Sequence, residues 1–387
     1  DHKIIVPPDG MIHDDSLGIP KVDVRSVGAG GGSIAWVDEG GLLRVGPHSA
    51  GARPGPACYD AGGTEPTVTD ANVVLGIVDP DYFLGGKMKL RKDLAEQAIA
   101  KVADRLGVSI PEAAYAIYTT SNHNMVAAIE EITVREGINP RDSVFVCGGG
   151  ATAIHMAEMA DILELKKYVV PRFMAGLSAF GGLISDIRRE DAAVCLTSNA
   201  AFDVDAVNAT LAKLMAQGSG FLEAAGIVQE DRVYEFVFMG RYEFQSFEIE
   251  TPFEAPNGTL TAEDLPSLVE AFHKMHERIY SIRSDNDVVE FTAWKLRAIG
   301  LRRGRDQWKE AILPQQQGAP APKTRRPVYD HAAGGPRELP VYDLATLGAD
   351  AEISGPALVE AATFTAYLKS GHDGRVDAHG NLVVAVA

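Results

Sequence analysis

Two glycine-rich turns and one Gly/Pro-rich loop hold the residues of this sequence whose types and spacing suit chemistry. Cys147-Gly148-Gly149-Gly150-Ala151 lies between the β-prone run Ser143–Val146 and a helical pattern that starts near Thr152. Glycine lets the backbone approach a ligand closely, and a helix N-terminus offers unpaired N–H groups with partial positive charge. Adenosine or phosphate suits such a turn. Tight strand–helix packing accounts for the same residues equally well, because the run is neither G-x-G-x-x-G nor a P-loop. Gly28-Ala29-Gly30-Gly31-Gly32-Ser33 is a second turn of this kind. Its N–H groups can form an anion nest, with close sheet packing as the competing explanation.

The side chains near these turns offer weaker signals. Arg44, His48 and Arg53 sit in the Gly/Pro-rich run from Arg44 to Tyr59, where an Arg fork can grip a phosphate or carboxylate. A solvated loop is the simpler explanation. Asp70, in Pro66-Thr67-Val68-Thr69-Asp70-Ala71-Asn72, can serve as a base or a magnesium partner, or it can cap a helix. We take Asp70 and His48 as the catalytic candidates. Gly148, Gly149, Gly150, Ala151, Gly30, Gly31, Gly32, Ser33 and Arg53 are the ligand-binding candidates. His273 and His276, with Glu277 beside them, share a helix face but have no third ligand at diagnostic spacing, so no metal site is assigned. Cys147 has no paired His in sequence and reads as an inert core thiol.

Composition narrows the function classes. A formal net charge of −17 argues against binding driven by a nucleic-acid backbone or an anionic membrane, both of which need clustered positive charge. Cys58, Cys147 and Cys195 are far apart and form no C-x-x-C, which points to a reducing compartment, the cytoplasm. There is no bilayer-length apolar stretch and no signal peptide. The chain begins at Asp1 rather than at Met, so we expect it to start partway through a longer protein.

The elements that must position these residues follow from periodicity. Ser33–Val37 and Leu42–Val45 flank Asp38-Glu39-Gly40-Gly41 and read as a hairpin. Two helices open at Asp93 and at the capping box Ser109-Ile110-Pro111-Glu112; the second carries a core face from Ala114 to Ile132. A strand, the glycine turn, a helix near Thr152–Leu163 and a strand at Tyr168–Val170 follow, then a second Gly/Ser-rich turn, 175–182. This alternation predicts an α/β layer with a largely parallel sheet. From about Arg189 the pattern becomes helix Val204–Gln217, strands Arg232–Met239 and Glu243–Glu250, and helix Leu265–Tyr280. The expected domains are 1–190, an α+β unit at 191–312, a linker at 313–326 and a small β domain at 327–387.

Taken together, the motifs resemble the hydantoinase A / 5-oxoprolinase family, which includes nucleotide-binding subunits of acetone and acetophenone carboxylases. The resemblance rests on an ordered series: Gly28–Ala35, Arg44–Pro47, Ser49–Gly51, Pro54–Tyr59 and Pro66–Asn72. It continues through Gly148–Ala151, Ser178–Gly181, Arg241-Tyr242 with Gln245, Phe272-His273 with His276-Glu277, and Gly355–Glu360. Phe244 stands where members usually carry a glycine, and Thr363-Phe364-Thr365 where they carry a threonine run.

The resemblance implies half of an actin-like ATPase fold, with Gly148–Gly150 on the adenosine side. It implies ATP and Mg²⁺ as cofactors and phosphorylation of an amide, lactam or enolate oxygen. It also implies a hydantoinase B-type partner in a hetero-oligomer. Cyclic-amide hydrolysis is the leading expectation, ketone carboxylation the alternative, and a non-catalytic scaffold subunit the third. The family's Asp-x-Gly-Gly-Thr phosphate motifs follow hydrophobic strands and lie upstream of the matched region. The literal match Asp60-Ala61-Gly62-Gly63-Thr64 follows a loop and is read as a decoy.

Overall fold

A computed structural model describes residues 11–12, 15–16, 24, 26–135, 137–302 and 312–387. The chain forms two compact units. The first runs to Phe180 and resumes in the C-terminal stretch that ends at Ala387; the second lies between them.

The first unit opens with a short pair, β1 (Met11–Ile12) and β2 (Asp15–Ser16), and the expected hairpin, β3 (Ser33–Val37) with β4 (Leu43–Ser49). Asp38 shapes the hairpin turn: its Oδ1 accepts from Leu42 N–H at 2.9 Å, and Gly41 supplies φ +81°. Helices α1 (Val68–Val74), α2 (Lys92–Leu106) and α3 (Ile110–Arg135) follow. α2 stops at Gly107 in the left-handed region, and α3 starts on the Ser109–Glu112 box, with Ser109 N–H donating to Glu112 Oε2 at 2.8 Å. β5 (Phe145–Val146), α4 (Thr152–Ile162) and β6 (Lys167–Val170) complete this part. The Gly/Ser-rich turn is helical instead, as α5 (Leu177–Ile184).

β5 and β6 form a parallel pair, as a strand–helix–strand connection requires, but the parallel sheet goes no further. β17 (Leu382–Val386) pairs antiparallel with β6, then come β16 (His372–Val376) and β13 (Glu352–Ser354), also antiparallel. The largely parallel sheet and the separate C-terminal β domain are therefore both corrected. Strands near the end of the chain occupy the edge that further βαβ units would have filled. A second sheet, β11 (Thr324–Asp330), β12 (Gly335–Asp343), β14 (Ala357–Ala361) and β15 (Phe364–Leu368), is bonded to the helical part. Tyr329 N–H donates to Leu75 O at 2.9 Å, and a Cβ on Gly76 would lie 2.3 Å from Pro327 O. The expected linker is pinned too: Gln316 N–H donates to Ala349 O, and Ala349 N–H to Pro314 O, each at 2.8 Å.

The second unit is an antiparallel sheet in the order β7 (Ile187–Ser198), β10 (Val289–Gly300), β8 (Arg232–Tyr242), β9 (Ile249–Phe253), with α6 (Val204–Ala224) and α7 (Leu265–Tyr280). Its core gathers Trp294, Phe238, Phe291 and Phe272. The strand expected at Glu243–Glu250 begins only at Ile249. Phe244 sits at φ +69°, a conformation that glycine adopts more readily, and ends β8 in a turn.

One buried carboxylate ties the Gly/Pro loop to α1. Asp70 is 0% exposed, and its Oδ2 accepts from Thr67 N–H (2.9 Å), Thr67 Oγ1 (2.7 Å) and Ala57 N–H (3.2 Å), while Oδ1 accepts from Cys58 N–H at 2.8 Å. Removing it strands three buried N–H donors, each worth about 1–3 kcal/mol. Asp70→Ala should therefore lower unfolding free energy by at least about 3 kcal/mol in urea titration; a loss below about 1 kcal/mol would contradict this role.

Candidate functional site

The two glycine turns meet across one cavity. It measures about 620 Å³ and lies wholly within the first unit. One side is Gly31-Gly32 with Thr69 and Asn72 of α1; facing residues are Gly150, Ala151 and Ile154 at the start of α4; the β14–β15 turn, Glu360–Thr365, and the Val78–Leu84 segment close it.

Each glycine turn is packed where a side chain would collide. A Cβ on Gly31 would lie 2.7 Å from Thr69 Oγ1, and one on Gly150 would lie 3.0 Å from Thr363 O. Thr69 fastens the first turn by donating both N–H and Oγ1 to Gly31 O, each at 2.8 Å. Gly149, at φ +87°, donates its N–H to Met174 O at 2.7 Å and so aims the next two amides. Among the described residues, no acceptor is bonded to the N–H of Gly31, Gly32, Gly150 or Ala151. α4 begins without a side-chain cap; Thr152 N–H turns back to Gly149 O at 3.4 Å and Ile154 N–H to Ala151 O at 3.1 Å.

The wall contains no lysine or arginine. Its carboxylates, Asp79 and Glu360, are already paired: Arg326 Nη2 is 2.8 Å from each, and Lys323 Nζ is 2.8 Å from the other Glu360 oxygen. Lys323 also lies 3.8 Å from the ring centroid of Tyr82, another wall residue. The cavity therefore offers hydrogen-bond donors and aromatic surface without free charge. It suits a neutral, partly planar group rather than a polyphosphate.

Behind Asn72 lies a buried polar file. Asn72 Nδ2 is 3.3 Å from His155 Nε2, and His155 Nδ1 is 2.7 Å from Asn122 Oδ1. Burial lowers the His155 pKa from 6.5 to about 4, so the ring is neutral. Cys147 is fully buried, and burial pushes its thiol up to about 12, in keeping with an inert core cysteine.

The structure brings together four of the candidate residues, Gly31, Gly32, Gly150 and Ala151. Gly30 and Ser33 shape the first turn, since Gly30 N–H donates to Ser33 Oγ at 2.9 Å. Gly148 O accepts from Thr152 Oγ1 at the head of α4. His48 and Arg53 are exposed and are not part of the wall. Asp70 is also absent from the wall, with its carboxylate engaged as described, so the geometry gives it the capping role instead of a base. His273 and His276 are buried and bonded to Tyr242 and Gln245, and no group of three His, Cys, Asp or Glu fit for a metal occurs among the described residues. Asp60–Thr64 follows a 3₁₀ turn instead of a strand. Sequence reasoning missed Asn72, His155 and Glu360. A lone His in the apolar run Ala153-Ile154-His155-Met156-Ala157 was the available signal for the second.

The chain is a mixed α/β protein with two glycine turns around one cavity. The hydantoinase/oxoprolinase model matches residues 6–191 and the hydantoinase/oxoprolinase C-terminal domain matches 197–384. The chain belongs to the hydantoinase/oxoprolinase family. It is 34% identical to caprolactamase subunit alpha of Pseudomonas jessenii, over 90% of this chain and 50% of the relative. It is 33% identical to the acetophenone carboxylase gamma subunit of Aromatoleum aromaticum, over 94% of this chain and 51% of the relative. The fold matches the nucleotide-free structure of acetone carboxylase with a TM-score of 0.86 at 24% identity, covering 100% of this chain and 56% of that one. The chain thus spans about half the length of these relatives. Among the described residues no helix is long and apolar enough to cross a membrane.

His155 makes stability depend on pH. Between pH 6.5 and about 4 the unfolded chain binds a proton that the folded ring refuses, so stability rises with pH in this window and falls on acidification. The contribution is about 3 kcal/mol. Urea unfolding at pH 7 and pH 4.5 should show a smaller acid loss for His155→Gln than for the parent; equal losses would contradict a buried neutral ring.

Proposed function

We propose that this chain supplies the adenosine-side half of an actin-like nucleotide site in an ATP-dependent cyclic-amide hydrolase. The observation that carries the reading is a cavity without unpaired charge, framed by Gly31, Gly32, Gly150 and Ala151, whose N–H groups have no bonded acceptor among the described residues. Such a wall holds a nucleoside or a neutral ring through backbone donors and aromatic contact. ATP supplies the phosphoryl group that turns an amide oxygen into a leaving group. The residues here bind and orient; Thr69 and Thr363 keep the two glycine turns in place from opposite sides.

The described cavity does not fit Mg²⁺ or a triphosphate tail, because its carboxylates are committed to Arg326 and Lys323 and it offers no free cation. Those parts belong to residues outside it. The naming of the two curated relatives as alpha and gamma subunits supports a hetero-oligomer, in which we place a hydantoinase B-type partner. Ketone carboxylation is the second reading, supported by the 33% identity to the acetophenone carboxylase gamma subunit.

Replacing Gly150 by valine puts branched atoms against Thr363 O and into the cavity. In the full-length protein with its partner, Gly150→Val should weaken ATP binding at least tenfold by calorimetry, a change of about 1.4 kcal/mol, with unchanged circular dichroism. Lactam-stimulated ATP hydrolysis should fall with it. Unchanged binding would refute the assignment, and ATP turnover that needs a ketone and bicarbonate would replace the hydrolase by the carboxylase.

A further inference from the structure

Asn72 is 2% exposed and forms part of the cavity wall, yet its Oδ1 has no hydrogen-bond partner. A buried amide oxygen left without a donor is costly, by about 1–3 kcal/mol, and native proteins hold few of them. Asn72 lines the cavity, so its unmet atom lies beside a space that a ligand can enter.

The orientation of this amide is set from behind, by residues on two helices, α3 and α4. Tyr118 of α3 donates its hydroxyl to Ile154 O of α4 at 3.1 Å, which leaves the phenol oxygen to accept. Burial raises the Tyr118 pKa, so the phenol keeps its proton and donates it; the Asn122 amide nitrogen is buried without a hydrogen-bond partner. Asn122 then turns Oδ1 to His155, whose Nδ1 must carry the proton across the 2.7 Å contact. His155 Nε2 is left with a lone pair and accepts from Asn72 Nδ2 at 3.3 Å. The ring is neutral and stacked on Tyr118, with centroids 5.0 Å apart, so it holds one tautomer. The polarity of the whole file ends in a carbonyl oxygen at the cavity wall.

We propose that Asn72 Oδ1 is the specificity-determining acceptor for a neutral N–H donor on a planar ring ligand, with His155 and Asn122 as positioning residues. The proposal rests on the reading of this cavity as a ligand site. An uncharged acceptor in a wall whose carboxylates are already paired offers an ammonium group no counterion, and so selects a neutral donor. A cyclic-amide N–H and the exocyclic amine of a nucleobase share that chemistry; a ketone, which has no N–H, does not.

The test compares matched ligand pairs on the intact enzyme: ATP against purine riboside triphosphate, which lacks the 6-amino group, and five- to seven-membered lactams against the corresponding lactones. The parent should prefer the N–H-bearing member of one pair by about tenfold; preference within the first pair names the nucleobase, and within the second the cyclic amide. Asn72→Leu should abolish that preference. His155→Leu, which touches no ligand, should reduce the same preference by freeing the amide to turn. No preference in either pair for the parent enzyme overturns the proposal without recourse to any variant. So does a preference that survives Asn72→Leu. Loss of ATP binding in Gly150→Val alongside an absent preference would sink this inference alone, whereas intact binding in Gly150→Val would sink the cavity assignment beneath it.

Discussion

The site depends on a carboxylate that performs no chemistry. Asp70 gathers Thr67, Ala57 and Cys58 onto one buried charge, and in doing so joins the N-terminus of α1 to a loop too rich in glycine and proline to hold itself. Thr69 and Asn72, its near neighbours on α1, reach the cavity only because this joint sets where the helix begins. Thr69 then fixes Gly31, and the first glycine turn takes its position from a helix more than thirty residues away. Four hydrogen bonds to one anion are stronger than neutral contacts of the same number, which suits a joint under a working surface.

The opposite wall is built by the end of the chain. β14 and β15 bring Glu360 and Thr363 to the cavity, and Arg326 on β11 bridges Glu360 to Asp79. Arg326 also donates to Ile77 O, so the ion pairs span two segments separated by about 250 positions. The buried Glu360 carboxylate is paired with two cations, Lys323 and Arg326. Arg326 and Lys323 balance the wall carboxylates from outside the wall and leave the cavity without unpaired charge.

Much of this was legible in the residues, and the failures have physical causes. The Ser109–Glu112 box, the Asp38–Gly41 hairpin and the helix after Gly150 follow from local chemistry and appear where expected. The parallel sheet did not extend, since pairing between β6 and β17 is a contact between distant segments that no local pattern encodes. The same holds for the tie between Gly76 and Pro327. Asp70 was ambiguous between base and cap because both roles ask for an Asp after a Thr; only burial and four donors decide it. Asn72 stood in the same motif but carries no charge. Its importance comes from His155, on a helix 83 positions later.

The central claim is that two glycine turns far apart in sequence form a single ligand cavity. Amide hydrogen exchange on the intact protein, with and without ATP and a lactam, addresses it directly. The account predicts that peptides spanning Gly28–Ser33 and Gly148–Ile154 gain protection together when ligand is added. Protection confined to other segments, with both turns exchanging as before, would contradict it.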